Sequence, residues 1–547
     1  MVGMRGRMGR AVVGLAMLVG STAARAETIE LGDGFVLDFG GTATYSLGVR
    51  TEDRDSRLTD PNRSDSANAN DGDFNFDQGA LINNRAALVL EGGIHDDHIG
   101  AFVRGSGFYD DAYRNPNDNA PGNRVNKFGP ADEFTDETQD YHWWRVRLLD
   151  AYAYGRFDLG DMPVDLRAGR QVVSWGESLF FPNIAGSQNP YDVTKLMVPG
   201  AEVKDYVLPT LQASARISPT PWLSFAAYYQ FEFEKNELDG VGSYFSYSDI
   251  VGPGATFMDT LTPFPLMRQA DVKPPDLGQW GVSAHVAVGD ATDLGLYALV
   301  YHDKAPTVTF GTMLLPVAPP LPIFVAIPID YRLTYVEDIT LLGASFTTAV
   351  GNVTVAGELS YRDGAPVLVD VPTGLPTALP MASPGQLLQG NLSFVNVLPV
   401  TVLADSTRLL GEVTMVHVLD VDGVAPPVIN GFLPPPAKVG IDDLTFARTS
   451  AALELQVEFG YTNVFDGWDM SVPVTYQGVI FGPSALPGSL GPLVGIGDHR
   501  LSLGVDFTYL NNLEIGLRYN FLFGEGDTRD RPLADRDYAT LAVSYGF

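Results

Sequence analysis

The chain has 547 residues, of which 66 are acidic, 35 are basic and none is cysteine. A formal charge of −31 argues against nucleic acid as a partner, because binding to phosphate needs a basic surface. Without cysteine there is no disulfide framework, thiol catalysis or Cys-ligated metal.

The chain opens with Arg5, Arg7 and Arg10, an apolar run from Ala11 to Val19, and the small residues Ala24 and Ala26 before Glu27. This is the pattern of a secretory leader cleaved after Ala26. The apolar run is too short to span a bilayer, which takes about 20 residues in a helix. The stretch 313–329 is apolar but carries five prolines, each of which would break a helix. We therefore expect a leader at 1–26 and one mature domain at 27–547, with no linker dividing it.

Period-two alternation predicts strands near residues 41–51, 80–94, 98–109, 146–157, 164–175, 210–218, 222–235, 278–288, 294–303, 338–350, 352–362, 386–397, 406–418 and 447–460, and four more from 467 onward. Eighteen strands result, with sixteen as the alternative because Pro-rich segments blur strand ends between 338 and 418. The pattern is clearest at the end, where Ala539, Leu541, Val543, Tyr545 and Phe547 share one face and Tyr538, Thr540, Ala542, Ser544 and Gly546 the other. Upstream, Leu513, Ile515, Leu517, Tyr519, Phe521 and Phe523 alternate with Glu514, Gly516, Arg518 and Asn520, after a turn of only Asn511 and Asn512.

One face is thus aliphatic with aromatic ends and the other polar, as lipid outside and water inside require. A soluble β-sandwich also alternates, but its loops do not. Here short connections (95–97, 158–163, 219–221, 289–293, 511–512) alternate with long ones (52–79, 110–145, 176–209, 236–277, 304–337). The expected fold is a closed antiparallel transmembrane β-barrel in a Gram-negative outer membrane, with short periplasmic turns and long extracellular loops. Tyr545 and Phe547 form the end that the barrel assembly machinery would engage.

The loop 67–79 sets Asp71, Asp73, Asn75 and Asp77 at alternate positions. An extended strand would spread them along about 20 Å instead of converging them on a calcium ion, so a solvated acidic rim is expected. His95 and His98 flank one turn without a third ligand nearby, and no metal site is assigned. No activating motif singles out a catalytic trio among the many serines and carboxylates, so no enzymatic role and no cofactor is assigned.

Residues 166–208 begin as a strand and become a long, apolar-rich loop, with Asn189 and Pro190 reading as the start of a short helix to Met197. This loop either caps the barrel outside or folds inward to narrow it, with Arg167, Arg170, Trp175, Glu177, Asp192, Lys195, Glu202 and Lys204 available to line a constriction. The segments PVAPPLPIFVAIPI, APVLVDVPTGLPTALPM and VAPPVINGFLPPP fall in predicted outer loops, and apolar patches there are a liability unless they touch one another or a ligand. Leu321, Ile323, Phe324 and Val325 are the candidates for an apolar vestibule.

The segment GRQVVSWGESLFFPNIAGSQNPYDVTKLMVPGAEVKDYVLP resembles the outer-membrane proteins grouped as domain of unknown function 1302. DGDFNFDQG, GEVTMVHV, DHRLSLGVDFTYLNNLEIGLRYNFLFG and DRDYATLAVSYGF carry the resemblance along the rest of the chain. The resemblance implies a barrel, frequently encoded near resistance-nodulation-division (RND) exporters and a periplasmic lipoprotein-like partner, and suggests traffic of lipids or other apolar compounds. It supplies no ligand-binding residues. The function expected is passage of small molecules, favouring hydrophobic cargo, with a general hydrophilic porin or a scaffolding protein as alternatives.

Overall fold

The computed structural model describes residues 27–547 apart from 61, 64, 202, 317–322, 372–378, 425–427 and 431–441. Ala24, Ala26 and the cleavage site lie outside the described residues. Eighteen strands form the wall: β1 (Phe35–Arg50), β2 (Leu81–His95), β3 (Ile99–Asp110), β4 (Trp144–Leu159), β5 (Met162–Gln171), β6 (Thr210–Thr220), β7 (Leu223–Gln230), β8 (Trp280–Val288), β9 (Thr292–Tyr301), β10 (Ile339–Val350), β11 (Val353–Val371), β12 (Leu379–Pro399), β13 (Ser406–Val421), β14 (Thr449–Phe465), β15 (Trp468–Phe481), β16 (His499–Tyr509), β17 (Leu513–Phe523) and β18 (Tyr538–Gly546). Each pairs antiparallel with the next, and β18 returns to β1 with Thr42 opposite Gly546 and Arg50 opposite Tyr538. The cylinder is closed, so sixteen strands is not the count.

Closure satisfies every strand edge, the condition for crossing a medium without water. Leu88, Leu90, Val103, Val146, Leu296, Leu359 and Leu517 stand exposed on the outside, while Thr44, Ser46, Arg85, Glu358 and Glu412 occupy the alternate, lumen-facing positions. Apolar outside and polar inside defines a transmembrane barrel. Among the described residues no helix is long and apolar enough to cross a membrane.

The seam between β1 and β18 has two devices. The Phe547 N–H donates to the Gly41 carbonyl at 3.0 Å, and the Gly41 N–H donates back at 2.9 Å. A side chain at 41 would collide with the Phe547 ring and Leu90, each 2.8 Å from a Cβ there, so glycine lets the terminal aromatic lie on the wall. Beyond the end of β18, the strand Glu27–Gly32 folds back and covers the edge of β1, with Glu27 opposite Phe39. Its turn uses Asp33 and Gly34 at φ 52° and 83°, the left-handed region that tight hairpins require.

On the outer side the structure departs from three expectations. The segment 363–385 is not a plain loop: β11 and β12 run on as a hairpin, burying Ala365, Val367, Val369 and Val371 against the loops 442–447 and 484–486. The segment 304–337 is also a hairpin, Thr307–Pro316 paired with Ile323–Thr334, in a second sheet with Phe257–Met258, Leu266–Arg268 and Val428–Asn430. Its prolines are tolerated because Pro316 ends a strand and Pro328 sits at a register shift. Leu321 lies outside the described residues, while Ile323, Phe324 and Val325 pair through their backbones with both Leu315–Pro316 and Val428–Asn430.

The third departure is the acidic segment after β1. Asp71–Phe74 form a helical turn, and Asp71, Asp73 and Asn75 are buried, so they are no solvated rim. Arg50 and Arg536, both fully buried, hold this turn to the other outer loops. Asp73 pairs with Arg536 at 3.1 Å and Arg50 at 3.5 Å, Asp535 pairs with Arg50 at 3.2 Å, and Arg536 donates to the carbonyls of Tyr244 and Ser246. Buried arginine charge drew the carboxylates inward.

Replacing Phe547 by aspartate puts a charge on the lipid face of the closing strand, where an unsatisfied polar group costs several kcal/mol. We expect Phe547→Asp to reduce assembled barrel by about tenfold, scored as the fraction of unboiled protein that shifts in SDS gels on boiling. An unchanged fraction would show that the terminal aromatic does not govern closure.

Candidate functional site

After β5 the chain leaves the wall and enters the lumen. Glu177 lies against Thr347 of β10, and residues 179–184 lie against β11, β12 and β13, six to eight strands round an eighteen-strand cylinder from where the segment began. Glu358 is five residues past the turn before β11, about 17 Å along the strand at ~3.3 Å per residue, so the contact sits at membrane depth. The inward placement is the one the structure adopts.

A segment without regular structure must still satisfy its backbone groups when buried. Two wall carboxylates do this. Glu358 accepts the N–H of Glu177 at 2.6 Å and of Ile184 at 3.2 Å, one through each oxygen. Glu412 takes the N–H groups of Leu179, Phe180 and Phe181 on a single oxygen, at 3.1, 2.5 and 3.1 Å. Its other oxygen accepts from Asn391 Nδ2, which also donates to the Phe181 carbonyl. Arg362 and Ser360 donate to Asn183, and Gln389 donates to the Pro182 carbonyl.

Glycine is required at 176. Its φ is +102°, and a Cβ there would lie 2.5 Å from Glu358 Oε2 and 3.1 Å from the Ile184 Cβ. Ile184 is fully buried among Tyr228, Tyr297, Leu299, Ile339 and Leu341. Trp175 sets its ring edge-on to Tyr228 at 5.0 Å, and its backbone N–H donates to Gln188 Oε1 at 2.6 Å.

The segment then returns across the lumen. Asp192 pairs with Arg147 of β4 and, at 3.8 Å, with Lys195, which donates to the Asp205 carbonyl. Gly200 reaches the β1–β18 wall, where a Cβ would contact Thr44, Ser544 and Ala542. Lys204 lines a cavity against that wall, and Glu202 lies outside the described residues. The expected helix from Pro190 is absent; only Val193–Lys195 make one tight turn. Asn189 donates to the Val173 carbonyl instead of capping, and Tyr191 bridges Val207, which holds the backbone extended.

Arg167 faces the lumen, its guanidinium 5.6 Å from the Tyr152 ring centre. Arg170 does not line the lumen. Three positions along a strand reverses the face, and Arg170 sits opposite Ala151 and Leu211 on the outer face, paired with Glu232 at 2.7 Å.

Sequence reasoning missed Glu358 and Glu412. Their signal was the repeated Gly-Glu step, Gly357–Glu358 and Gly411–Glu412, in which the glycine yields to a ring, Phe346 or Phe394, and the carboxylate turns inward. It also missed aromatic groups inside the lumen. A register shift opposite Val103–Gly105 reverses the parity of β4, so Asp150, Tyr152 and Tyr154 share the inward face with Arg147. Phe102, Tyr152, Tyr154 and Arg167 line a cavity of about 280 Å³ with Asp38 and His95. A second, of about 590 Å³, lies beside Trp175 and Glu177, between Arg216, Trp222, His285 and Asp293 at the short-turn end.

These features define a transmembrane β-barrel whose lumen is crossed at mid-depth by its own chain. The protein belongs to the family described as protein of unknown function (DUF1302), whose model matches residues 7–547. No curated protein matches the sequence. Among solved structures, Acinetobacter baumannii OccAB1 is similar at 9% identity and TM-score 0.41, over 96% of this chain and 99% of that one. Salmonella typhi OmpF in complex with daunomycin aligns at 11% identity and TM-score 0.38, over 95% and 100%. Pseudomonas aeruginosa OpdK with vanillate aligns at 11% and 0.39, over 93% and 98%. The barrel assignment rests on the strand pairing above, not on these likenesses.

Glu412→Ala would leave three buried N–H groups without their acceptor, at about 1–3 kcal/mol for each unmet group. We expect amide exchange in 177–184 to accelerate by about 10-fold or more while wall strands exchange as before, read by deuterium uptake. Unchanged uptake would mean that Glu412 does not anchor the segment.

Proposed function

We propose that the protein is an outer-membrane channel that passes small molecules through a lumen narrowed by residues 172–209, with apolar or lipid-like compounds as the favoured cargo. The observation that carries the reading is the wall-to-wall crossing of the lumen at membrane depth. A barrel so occupied suits selective or gated passage better than free diffusion. Trp175, Glu177, Asp192, Lys195 and Lys204 are the residues we assign to the constriction. The reading is of a conduit, not a catalyst.

Support for apolar cargo comes from the outer side. Phe128 and Phe264 are 69% and 80% exposed, and Phe128 lies 5.4 Å from Phe257. Large exposed apolar groups in outer loops more often mark a binding surface than an accident. The buried valines of the β11–β12 hairpin do not add to this surface, since they pack into the lid. A periplasmic lipoprotein-like partner and an RND-type exporter would meet the short-turn end of such a channel.

The hydrophilic porin is the second reading, favoured by the charged and ionisable side chains Arg216, His285 and Asp293 that face the 590 Å³ cavity. Replacing Leu321, Ile323, Phe324 and Val325 together by serine separates the two. We expect flux of an apolar probe to fall several-fold while a small sugar passes as before, with both measured in one strain. Equal loss of both would indicate a damaged lid. No loss of the apolar flux would remove these residues from the path.

A further inference from the structure

Three outer loops meet at the helical turn Asp71–Phe74. Asp249 Oδ2 accepts the N–H groups of Asn70 and Asp71 at 2.8 and 3.3 Å, and Asp71 Oδ2 accepts the N–H of Asn126 at 3.3 Å. These bonds gather Asn70, Asp71, Asn126 and Asp249, from loops far apart in sequence, into one small volume. All four are at most 2% exposed.

What remains there is a set of oxygens with nothing to bind. The Oδ1 atoms of Asn70, Asp71, Asn126 and Asp249 have no hydrogen-bond donor among the described residues. The hydrogen bonds and ion pairs of the nearby cations go to other groups: Arg50 and Arg536 to Asp73 and Asp535, Arg124 to Asp259, and Lys127 to the carbonyls of Ala131 and Glu133. Two adjacent buried carboxylates repel one another, and the charge of Lys127 offsets this only in part at Asp71.

We propose that Asp71, Asp249, Asn70 and Asn126 form a calcium site that clips three outer loops together over the mouth of the barrel. The donors are oxygens only, which excludes the soft and imidazole-preferring metals. Two carboxylates balance a divalent charge, and amide oxygens are ordinary calcium ligands. Magnesium is disfavoured because it demands a near-ideal octahedron and keeps its waters, whereas calcium accepts irregular coordination. Two carboxylates place the site among the weaker extracellular calcium modules, with Kd of about 10⁻⁴–10⁻³ M. An extended chain would spread these oxygens too far apart for one ion, but Asp71–Phe74 is a helical turn.

The test uses the full folded barrel in detergent after chelator treatment, titrated calorimetrically with CaCl₂ and separately with MgCl₂. Saturable calcium binding is expected, at least about tenfold weaker in Asp249→Asn and in Asp71→Asn, and unchanged in Asp77→Asn, whose carboxylate is 63% exposed on Arg54. Calcium should also slow tryptic cleavage after Arg54, Arg57 or Arg63 in the wild type, a readout that needs no variant to fold. Absence of saturable binding at millimolar calcium would overturn the site and leave a carboxyl pair sharing a proton. Equal binding by Asp249→Asn would place the ion elsewhere, and magnesium binding as tightly as calcium would overturn the choice of metal.

Discussion

Two lumen carboxylates, Glu358 and Glu412, hold the interior of this barrel in place through the backbone of the segment they bind. Five N–H groups between residues 177 and 184 end on their oxygens. A chain crossing a lumen without helix or strand cannot satisfy itself, and an unmet buried amide costs about 1–3 kcal/mol. The wall therefore has to supply acceptors where the chain presents donors. The neighbouring side chains follow from this: Asn391, Gln389, Arg362 and Ser360 serve the carbonyls and the Asn183 amide, and Gly176 and Gly343 leave room for the segment and for Ile184.

The same logic distributes charge around the cylinder. Inward arginines stand on β2 to β5, among them Arg85, Arg104, Arg145, Arg147 and Arg167, while inward carboxylates Glu358, Glu412 and Glu454 stand on β11, β13 and β14 across the lumen. The inserted chain lies between the two walls and uses both, taking backbone acceptors from the acidic side and pairing Asp192 with Arg147 on the basic side. At the outer mouth Arg50 and Arg536 play the converse part, buried cations that draw carboxylates and carbonyls from three loops. A channel reading and a cation-clipped mouth are compatible, because one concerns the lumen and the other the loops above it.

Where the sequence misled, the cause was a local assumption about the backbone. Arg167 and Arg170 share a segment but not a face, because three positions on a strand point opposite ways. Tyr152 and Tyr154 turn inside because a bulge, invisible to a two-residue period, resets the parity of β4. The Asp71–Asp77 segment was read as extended, whereas Arg50 and Arg536 favour a helical turn that buries Asp73. Proline-rich stretches look like loops by composition, yet they pair into hairpins, with Pro316 at a strand end and Pro328 at a register shift in one and Pro366 opposite Pro384 in the other.

What the sequence by itself determined was the barrel: strands with one apolar and one polar face, and the alternation of short turns with long connections. Those properties are local, set by a two-residue period and by turns of a few residues. The tertiary structure decided where the long connections go. The choice between plug and cap depends on Glu177 meeting a carboxylate 181 positions away and on Leu179 meeting one 233 positions away. No periodicity encodes such a pairing, because two residues become partners only once the closed wall has brought them to the same depth.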